Sequence, residues 1–156
     1  MNFDDLPPRG GAYWLALYLP QGRRIQVGRL GEACFPAGWY VYTGSAQGPG
    51  GIRSRLGRHL RGSPHRRWHI DFLRAVASPF AWGWTLQPPS RLPWECVWAQ
   101  RLAAQTDAFF PLQGFGASDC RHGCVAHLVG FPTLAALTLA LRLLPPGADL
   151  ARRAAR

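Results

Sequence analysis

Residues 12–19 have the sequence AYWLALYL, and this run decides the fold of the chain. Alternate residues of a strand point to opposite faces. One tyrosine and three leucines therefore share one face, while two alanines, a tryptophan and a second tyrosine share the other. Because both faces are apolar, the run predicts a central strand that is covered on both sides.

Four more strands are predicted. The turn PQGRR at 20–24 leads into IQVGRL at 25–30, which predicts a second strand paired with the first. WYVYTG at 39–44 is rich in aromatic and β-branched residues and predicts a third strand. The remaining two are predicted near 80–86 and at 127–131.

Apolar residues that recur every four positions predict the helices. They indicate helices at 51–60, from about 66 to 77, from 94 to 102, and at 133–144, where the last helix ends before two prolines. Residues 106–124 lack both periodicities and are expected to be irregular. The order of elements predicts a small mixed α/β (α+β) domain with a mixed or antiparallel central sheet flanked by helices.

Length and composition indicate one domain. The chain has 156 residues, of which 47% are hydrophobic, and this is enough for one packed core. We expect a flexible N-terminus over 1–10, the domain over 11–146 and a basic tail over 147–156. Four cysteines are few for a disulfide scaffold and no signal-peptide pattern opens the chain, so a cytoplasmic location is expected. The longest apolar run, 131–144, is too short to span a membrane.

The charge balance favours nucleic acid as the partner. Eighteen basic residues against eight acidic ones give a net charge of +10. Residues 33–70 contain no acidic residue, and His65 and His69 in this stretch are expected to contact phosphate rather than a metal. Its candidate nucleic-acid-binding arginines are Arg53, Arg58, Arg61, Arg66 and Arg67. The alternative is a solvated face that keeps the protein soluble.

A second set of residues has the chemistry for phosphodiester cleavage: Tyr13, Tyr42, Arg55, His59 and Glu95. That reaction needs an activated water, a cation beside the developing negative charge and usually a metal ion. Arg55 supplies the cation, and helical spacing places it one turn from His59 on the same face. Glu95 offers a hard oxygen ligand suited to one Mg²⁺ or Mn²⁺ ion.

Each of these residues also has a structural interpretation. Tyr13 and Tyr42 could be ordinary strand aromatics, and His59 could pack or cap. Glu95 could be a first-turn carboxylate that interacts favourably with the helix dipole. Their order and spacing favour a catalytic site over these separate interpretations through the family resemblance that they carry.

The ordered series of GAY at 11–13, YTG at 42–44, Arg55-x-x-x-His59 and Glu95 resembles the GIY-YIG nuclease superfamily. The closer resemblance is to the branch of that superfamily catalogued as domain of unknown function 123. It is carried by GAYWLALYLP, GRLGEACFPAGWYVYTGSAQGPGGIRSRLGRHL, RWHIDFL and GFGASDCRHGC, and covers about 11–131. The resemblance implies a small GIY-YIG-type domain.

The resemblance also implies roles for individual residues. Tyr13 and Tyr42 would line the site, with one of them helping to activate water, while Arg55 stabilises the phosphate and Glu95 binds the metal. Members of this branch are sometimes joined to DNA glycosylase domains. That association implies DNA as the substrate, a role in DNA repair or processing, and a DNA repair enzyme as a partner protein.

The sequence departs from the superfamily pattern in three respects. Ala12 and Thr43 occupy the middle positions of the two name motifs. An extra predicted strand separates the motif tyrosines. The late asparagine of many members has no counterpart, and Ser118 or Asp119 could substitute for it as a polar group.

Three potential zinc ligands lie within eight residues: Cys120, Cys124 and His127. Cys96 could supply a fourth ligand, but on the predicted helix it points away from the apolar face. The spacing Cys-x3-Cys-x2-His is not that of a standard zinc finger or ribbon. The sequence therefore favours buried free thiols and a packed histidine over a structural zinc site.

Together these patterns predict a nucleic-acid-binding, divalent-metal-dependent endonuclease that hydrolyses DNA. One alternative is a catalytically inactive nucleic-acid-binding module of the same fold, which would need the arginines but not Glu95. Another is a protein-interaction scaffold that uses the seven tryptophans and the last helix. Such a scaffold would bind nucleic acid weakly and without steep salt dependence.

Overall fold

The computed structural model describes residues 3–144 and 152–153 of the chain. Within these residues the elements are, in order, β1 (Gly11–Leu19), β2 (Arg23–Val27), a 3-10 turn (Gly28–Leu30), β3 (Gly31–Phe35), β4 (Gly38–Ala46), α1 (Gly51–Arg61), α2 (His69–Arg74), β5 (Ser78–Thr85), α3 (Trp94–Ala103), β6 (Leu128–Phe131), α4 (Leu134–Leu141) and β7 (Arg152–Arg153).

Strand β1 lies at the centre of the main sheet because both of its edges are paired. It runs antiparallel to β4 along one edge and to β5 along the other, and the sheet order is β6-β4-β1-β5-β7. Along β1 only Tyr18 is exposed. The predicted central strand, and the antiparallel sheet with helices around it, are confirmed.

The two apolar faces of β1 build two cores. The face that carries Tyr13 and Leu15 packs with Ile52 and Leu56 of α1. The opposite face, which carries Trp14, packs with α3 and α4. Both α1 and α3 also contact β4, so the two helices approach this strand from opposite faces of the sheet.

The predicted pairing of the second strand with the first is wrong. β2 pairs instead with β3, in a separate two-stranded sheet. The physical reason is that both edges of β1 are already occupied by β4 and β5. The predicted strand also ends early, since Gly28 has a φ of 49° and leads into the 3-10 turn.

Helices α1 and α3 match their predicted ranges within one residue. Helix α2 is shorter than predicted and begins at His69. The Asp71 carboxylate accepts hydrogen bonds from the backbone N–H groups of Arg67 and Trp68, which keeps those residues outside the helix. Helix α4 begins after Thr133 and is also shorter than predicted. Residues 106–124 contain no helix or strand, as predicted.

The chain termini are described only in part. Leu6 is buried, and the Arg53 guanidinium donates hydrogen bonds to the carbonyl oxygens of Leu6 and Asp4, which joins the N-terminal segment to α1. The predicted basic tail over 147–156 lies outside the described residues, apart from β7. No described helix is both long enough and apolar enough to cross a membrane.

Asp71 joins α2 to α1. Its buried carboxylate accepts two hydrogen bonds from the Arg58 guanidinium, at 2.6 and 3.0 Å, besides those from the two backbone N–H groups. Burial alone would raise the pKa of Asp71, but the hydrogen bonds from Arg58, Trp68 and Arg67 outweigh burial and lower the pKa. Arg58 also stacks on the Trp68 ring. Arg58, one of the predicted nucleic-acid contacts, therefore bonds mainly to groups within the fold.

We expect Asp71→Asn to lower the free energy of unfolding by about 2 kcal/mol at neutral pH, because charged hydrogen bonds are lost. The pKa of Asp71 is lower in the fold than in the unfolded chain. Its stabilising contribution is therefore complete above the unfolded-state pKa and is lost as the pH falls through the folded-state pKa. Urea unfolding at several acidic pH values measures this. The exposed Asp107→Asn is the control, and equal effects of both substitutions would contradict the prediction.

Candidate active site

A polar cavity of about 520 Å³ lies where the end of β4, helices α1 and α3 and the segment 116–127 meet. It brings together three residues of the predicted catalytic set, Tyr42, Arg55 and Glu95, which come from three different elements. Arg67 of the predicted nucleic-acid contacts also lines it. The cavity walls do not include Tyr13 or His59.

Tyr13 and His59 lie directly behind Tyr42. The His59 Nε2 atom is 2.9 Å from the Tyr13 hydroxyl oxygen. A hydrogen bond between the Tyr13 and Tyr42 hydroxyl groups raises the pKa of Tyr13 and lowers that of Tyr42. The three rings pack with centroid separations of 5.7 to 6.2 Å. The chain of contacts therefore runs from the buried histidine through one phenol to the phenol at the cavity wall.

The direction of these hydrogen bonds follows from the second nitrogen of the His59 ring. His59 Nδ1 is buried and makes no hydrogen bond within the described residues. A buried N–H without an acceptor is the costlier arrangement, so the ring proton is assigned to Nε2. Nε2 then donates to the Tyr13 oxygen, and Tyr13 donates to the Tyr42 oxygen. This leaves the Tyr42 proton free to point into the cavity.

Burial has the largest effect on the pKa values of Tyr13, Tyr42 and His59. It raises the pKa of Tyr42 to about 12, although the nearby Arg55 charge and the hydrogen bond from Tyr13 both lower it. Burial likewise raises the pKa of Tyr13, and it lowers the pKa of His59 to about 3. At neutral pH His59 is uncharged, and both tyrosines keep their protons.

Arg55 is held at the cavity by two contacts. Its Nη1 donates to the Ser45 carbonyl oxygen at 2.8 Å, and its guanidinium lies 4.9 Å from the centroid of the Trp68 ring. The side chain is half-buried and continues into the cavity wall. A planar cation fixed in this way can meet a phosphate oxygen with little loss of side-chain entropy.

Glu95 lies in the first turn of α3 and is half-buried at the cavity wall. Burial raises the pKa of its carboxyl group. The Thr43 hydroxyl donates to the Glu95 carbonyl oxygen at 2.9 Å, which ties the start of α3 to β4 beside Tyr42. Ser118 and Asp119, proposed to replace the missing asparagine, line the same cavity.

The predicted nucleic-acid-binding arginines differ in their environments. Arg53 and Arg58 bond to groups within the fold, as described above. Arg61, Arg66 and Arg67 are exposed, and the last two lie against aromatic rings, Arg66 on Phe72 and Arg67 on Trp68. Of the predicted nucleic-acid-binding arginines, only Arg67 lines the cavity, and Arg66 precedes it in the chain.

Three residues outside the predicted catalytic set also line the cavity: His69, Arg121 and His122. His69 accepts a hydrogen bond at Nδ1 from the Gly116 backbone N–H, at 2.8 Å, and lines the cavity, whereas His65 does not. Arg121 and His122 line it from the opposite segment. The sequence predicts a phosphate contact for both His65 and His69, whereas Arg121 and His122 lie in the stretch GFGASDCRHGC without a predicted role.

The structure corrects the prediction made for Cys96. This residue does not point away from the apolar core: it is 2% exposed and lies with Cys120, Cys124 and His127 in one cluster that could hold a metal ion. The reason is that α3 is covered on two sides, by the sheet and by the segment 116–127. The cluster forms part of the cavity wall next to Glu95.

The fold and the cavity define a small antiparallel α/β domain whose cavity combines a phenol, a guanidinium and a carboxylate. Residues 12–144 match the family described as domain of unknown function DUF123, and the chain belongs to that family. No curated protein and no solved structure gives a significant match.

Gly44 is required by the packing of the tyrosine network. It pairs with Tyr13 in the sheet, and a Cβ atom at position 44 would lie 2.6 Å from the Tyr13 hydroxyl oxygen. We expect Gly44→Ala to lower the free energy of unfolding by about 2 kcal/mol, since overpacking forces a buried ring to move. Gly48→Ala is the control, because nothing lies within 4 Å of its added Cβ. Equal stability of the two variants in urea unfolding would contradict this account.

Proposed function

We propose that the protein is a divalent-metal-dependent endonuclease of GIY-YIG type that hydrolyses phosphodiester bonds of DNA. The observation that carries the proposal is that Tyr42, Arg55 and Glu95, which are distant in sequence, line one cavity. The net charge of +10 and the arginines that line the cavity, Arg55, Arg67 and Arg121, favour a polyanionic substrate. By its resemblance to proteins joined to DNA glycosylases, the protein would act in DNA repair or processing.

In this proposal Arg55 stabilises the transition state. Attack on a phosphodiester places additional negative charge on the non-bridging oxygens, and a fixed guanidinium counters that charge without reorganising. The contacts with Ser45 and Trp68 hold the guanidinium before substrate arrives. Arg67 and the Nε2 atom of His69 are further donors at the same cavity.

The cavity suits a hard divalent cation. Magnesium sites that act on phosphates commonly use one or two carboxylates, with waters and substrate oxygens completing the coordination. Glu95 and Asp119 are the carboxylates that line the cavity, and Glu95 would hold the ion. When bound, Mg²⁺ or Mn²⁺ supplies Lewis-acid stabilisation of the phosphate charge. The burial that raises the pKa of Glu95 also leaves its carboxylate poorly hydrated, which favours a cation as its partner.

Tyr42 is the candidate base for the attacking water. Its hydroxyl faces the cavity, while Tyr13 donates a hydrogen bond to its oxygen and Arg55 adds a positive charge nearby. Both effects favour the phenolate. Tyr13 and His59 do not line the cavity, so they act as positioning residues that orient Tyr42 and tune its pKa.

We expect Glu95→Gln and Arg55→Ala each to slow metal-dependent nicking of DNA by about 100-fold or more, since each removes charge that stabilises the transition state. The assay follows supercoiled plasmid, branched DNA and single-stranded DNA with Mg²⁺ or Mn²⁺, and with EDTA. Glu32→Gln and Arg29→Ala are matched controls, because both residues are exposed and lie outside the cavity.

The nicking assay, combined with DNA-binding measurements at several salt concentrations, distinguishes the nuclease from the two alternative functions. Absence of cutting on every substrate, with steeply salt-dependent DNA binding that survives Glu95→Gln, would replace the nuclease by a catalytically inactive binding module. Weak binding without steep salt dependence would instead favour the protein-interaction scaffold.

The pH dependence tests the role of Tyr42. With a pKa of about 12, its phenolate fraction grows about tenfold per pH unit from neutral to alkaline pH, so the nicking rate is expected to rise with pH. Tyr13→Phe removes the hydrogen bond that favours the phenolate. We expect the nicking rate of this variant at neutral pH to fall about tenfold for each unit by which the Tyr42 pKa rises. The rate should recover at higher pH.

Tyr42→Phe is expected to lose activity at every pH. The exposed Tyr18→Phe is the control and should match the wild type. A rate that is independent of pH in the wild type, or full activity of Tyr42→Phe, would exclude Tyr42 as the base.

A further inference from the structure

We propose that Cys96, Cys120, Cys124 and His127 bind one structural zinc ion. One ligand atom from each residue lies within 4.8 Å of all the others. The four residues come from α3 and from the irregular segment 116–127, which are adjacent in the fold. Three thiols and one imidazole form a recognised donor set for tetrahedral zinc.

Two separations between donor atoms, both from the Cys96 sulfur, match those of a zinc tetrahedron. A Zn–S bond of about 2.3 Å places two sulfur ligands about 3.8 Å apart, and a sulfur and an imidazole nitrogen about 3.6 Å apart. Cys96 Sγ lies 3.7 Å from Cys120 Sγ and 3.7 Å from His127 Nε2. A disulfide needs sulfur atoms about 2.05 Å apart. The four cysteines of the chain are free, and the 3.7 Å spacing is too long for a disulfide but suits ligands of one ion.

A hydrogen-bond donor lies beside the cluster. The Gln100 side-chain amide donates to the Cys124 sulfur at 3.7 Å. Donors of this kind stabilise thiolates, the form that binds zinc, and orient them. Soft thiolate ligands also disfavour Mg²⁺, which separates this site chemically from Glu95.

The ion would fix one wall of the cavity. The His127 backbone bonds to Phe115 and, through its carbonyl oxygen, to the Thr43 N–H of β4, while Cys96 directly follows Glu95. Turn-type backbone hydrogen bonds hold this irregular segment, for example from the Cys120 N–H to the Ala117 carbonyl oxygen, and a cross-link to α3 would add a further constraint. Four protein ligands leave no open position, which makes the role structural.

Cobalt and zinc titrations of the full chain under reducing conditions test the site. We expect one equivalent of Co²⁺ to give the strong visible bands of a tetrahedral thiolate site, and Zn²⁺ to displace it. Cys124→Ser should weaken zinc binding more than about 100-fold, whereas Gln100→Ala, which removes only an outer hydrogen bond, should weaken it about 10-fold. Cys34→Ser is the matched control, because Cys34 is exposed and outside the cluster.

Limited proteolysis supplies a second readout that needs no variant. Arg121 is exposed and lies between two of the ligands, so zinc should slow tryptic cleavage after it. Absence of tetrahedral cobalt absorption in the wild-type protein, equal losses in Cys34→Ser and Cys124→Ser, or cleavage unaffected by zinc would overturn the proposal. None of these measurements depends on nuclease activity, so the zinc site and the proposed function can fail separately.

Discussion

The constraint on which the structure depends is that β1 must be covered on both faces and paired along both edges. Its two apolar faces require a helix layer on each side, and these layers are α1 on one side and α3 with α4 on the other. Because α1 and α3 both reach β4, the residues they carry converge at the end of that strand. The position of the cavity is therefore a consequence of burying one strand completely.

The chemistry of the site depends on the contrast between its buried and open parts. Tyr13 and His59 lie in a dry environment where neither carries charge at neutral pH, so they act through hydrogen bonds alone. Arg55 and Glu95 lie at the boundary with solvent, where they can meet a charged substrate. The proposed zinc ion would hold the wall next to Glu95, and the hydrogen bond from the Thr43 hydroxyl to the backbone carbonyl of Glu95 joins α3 to β4.

Sequence periodicity was sufficient where an element is buried on a regular face. The alternation in β1 and the four-residue spacing in α1 predict both elements because each packs against one continuous apolar surface. The pairing of β2 with β3 could not be predicted, since it depends on which edges of β1 are taken. The burial of Cys96 could not be predicted from the sequence for a related reason, since the segment that covers α3 has no periodicity. Of the site, the order of Tyr42, Arg55 and Glu95 was visible in the sequence, whereas Arg121 and His122 reach the cavity only through an irregular segment.

His59 lowers the stability of the fold but orients Tyr13, because its Nδ1 atom is buried without a hydrogen-bond partner among the described residues. A buried polar atom without a hydrogen bond costs free energy that an apolar side chain of similar size would not. The fold tolerates that cost while His59 holds the Tyr13 hydroxyl in place. A laboratory selection for heat resistance alone would therefore tend to replace this histidine, and the resulting protein would be sturdier but would have lost the orientation of its tyrosine pair.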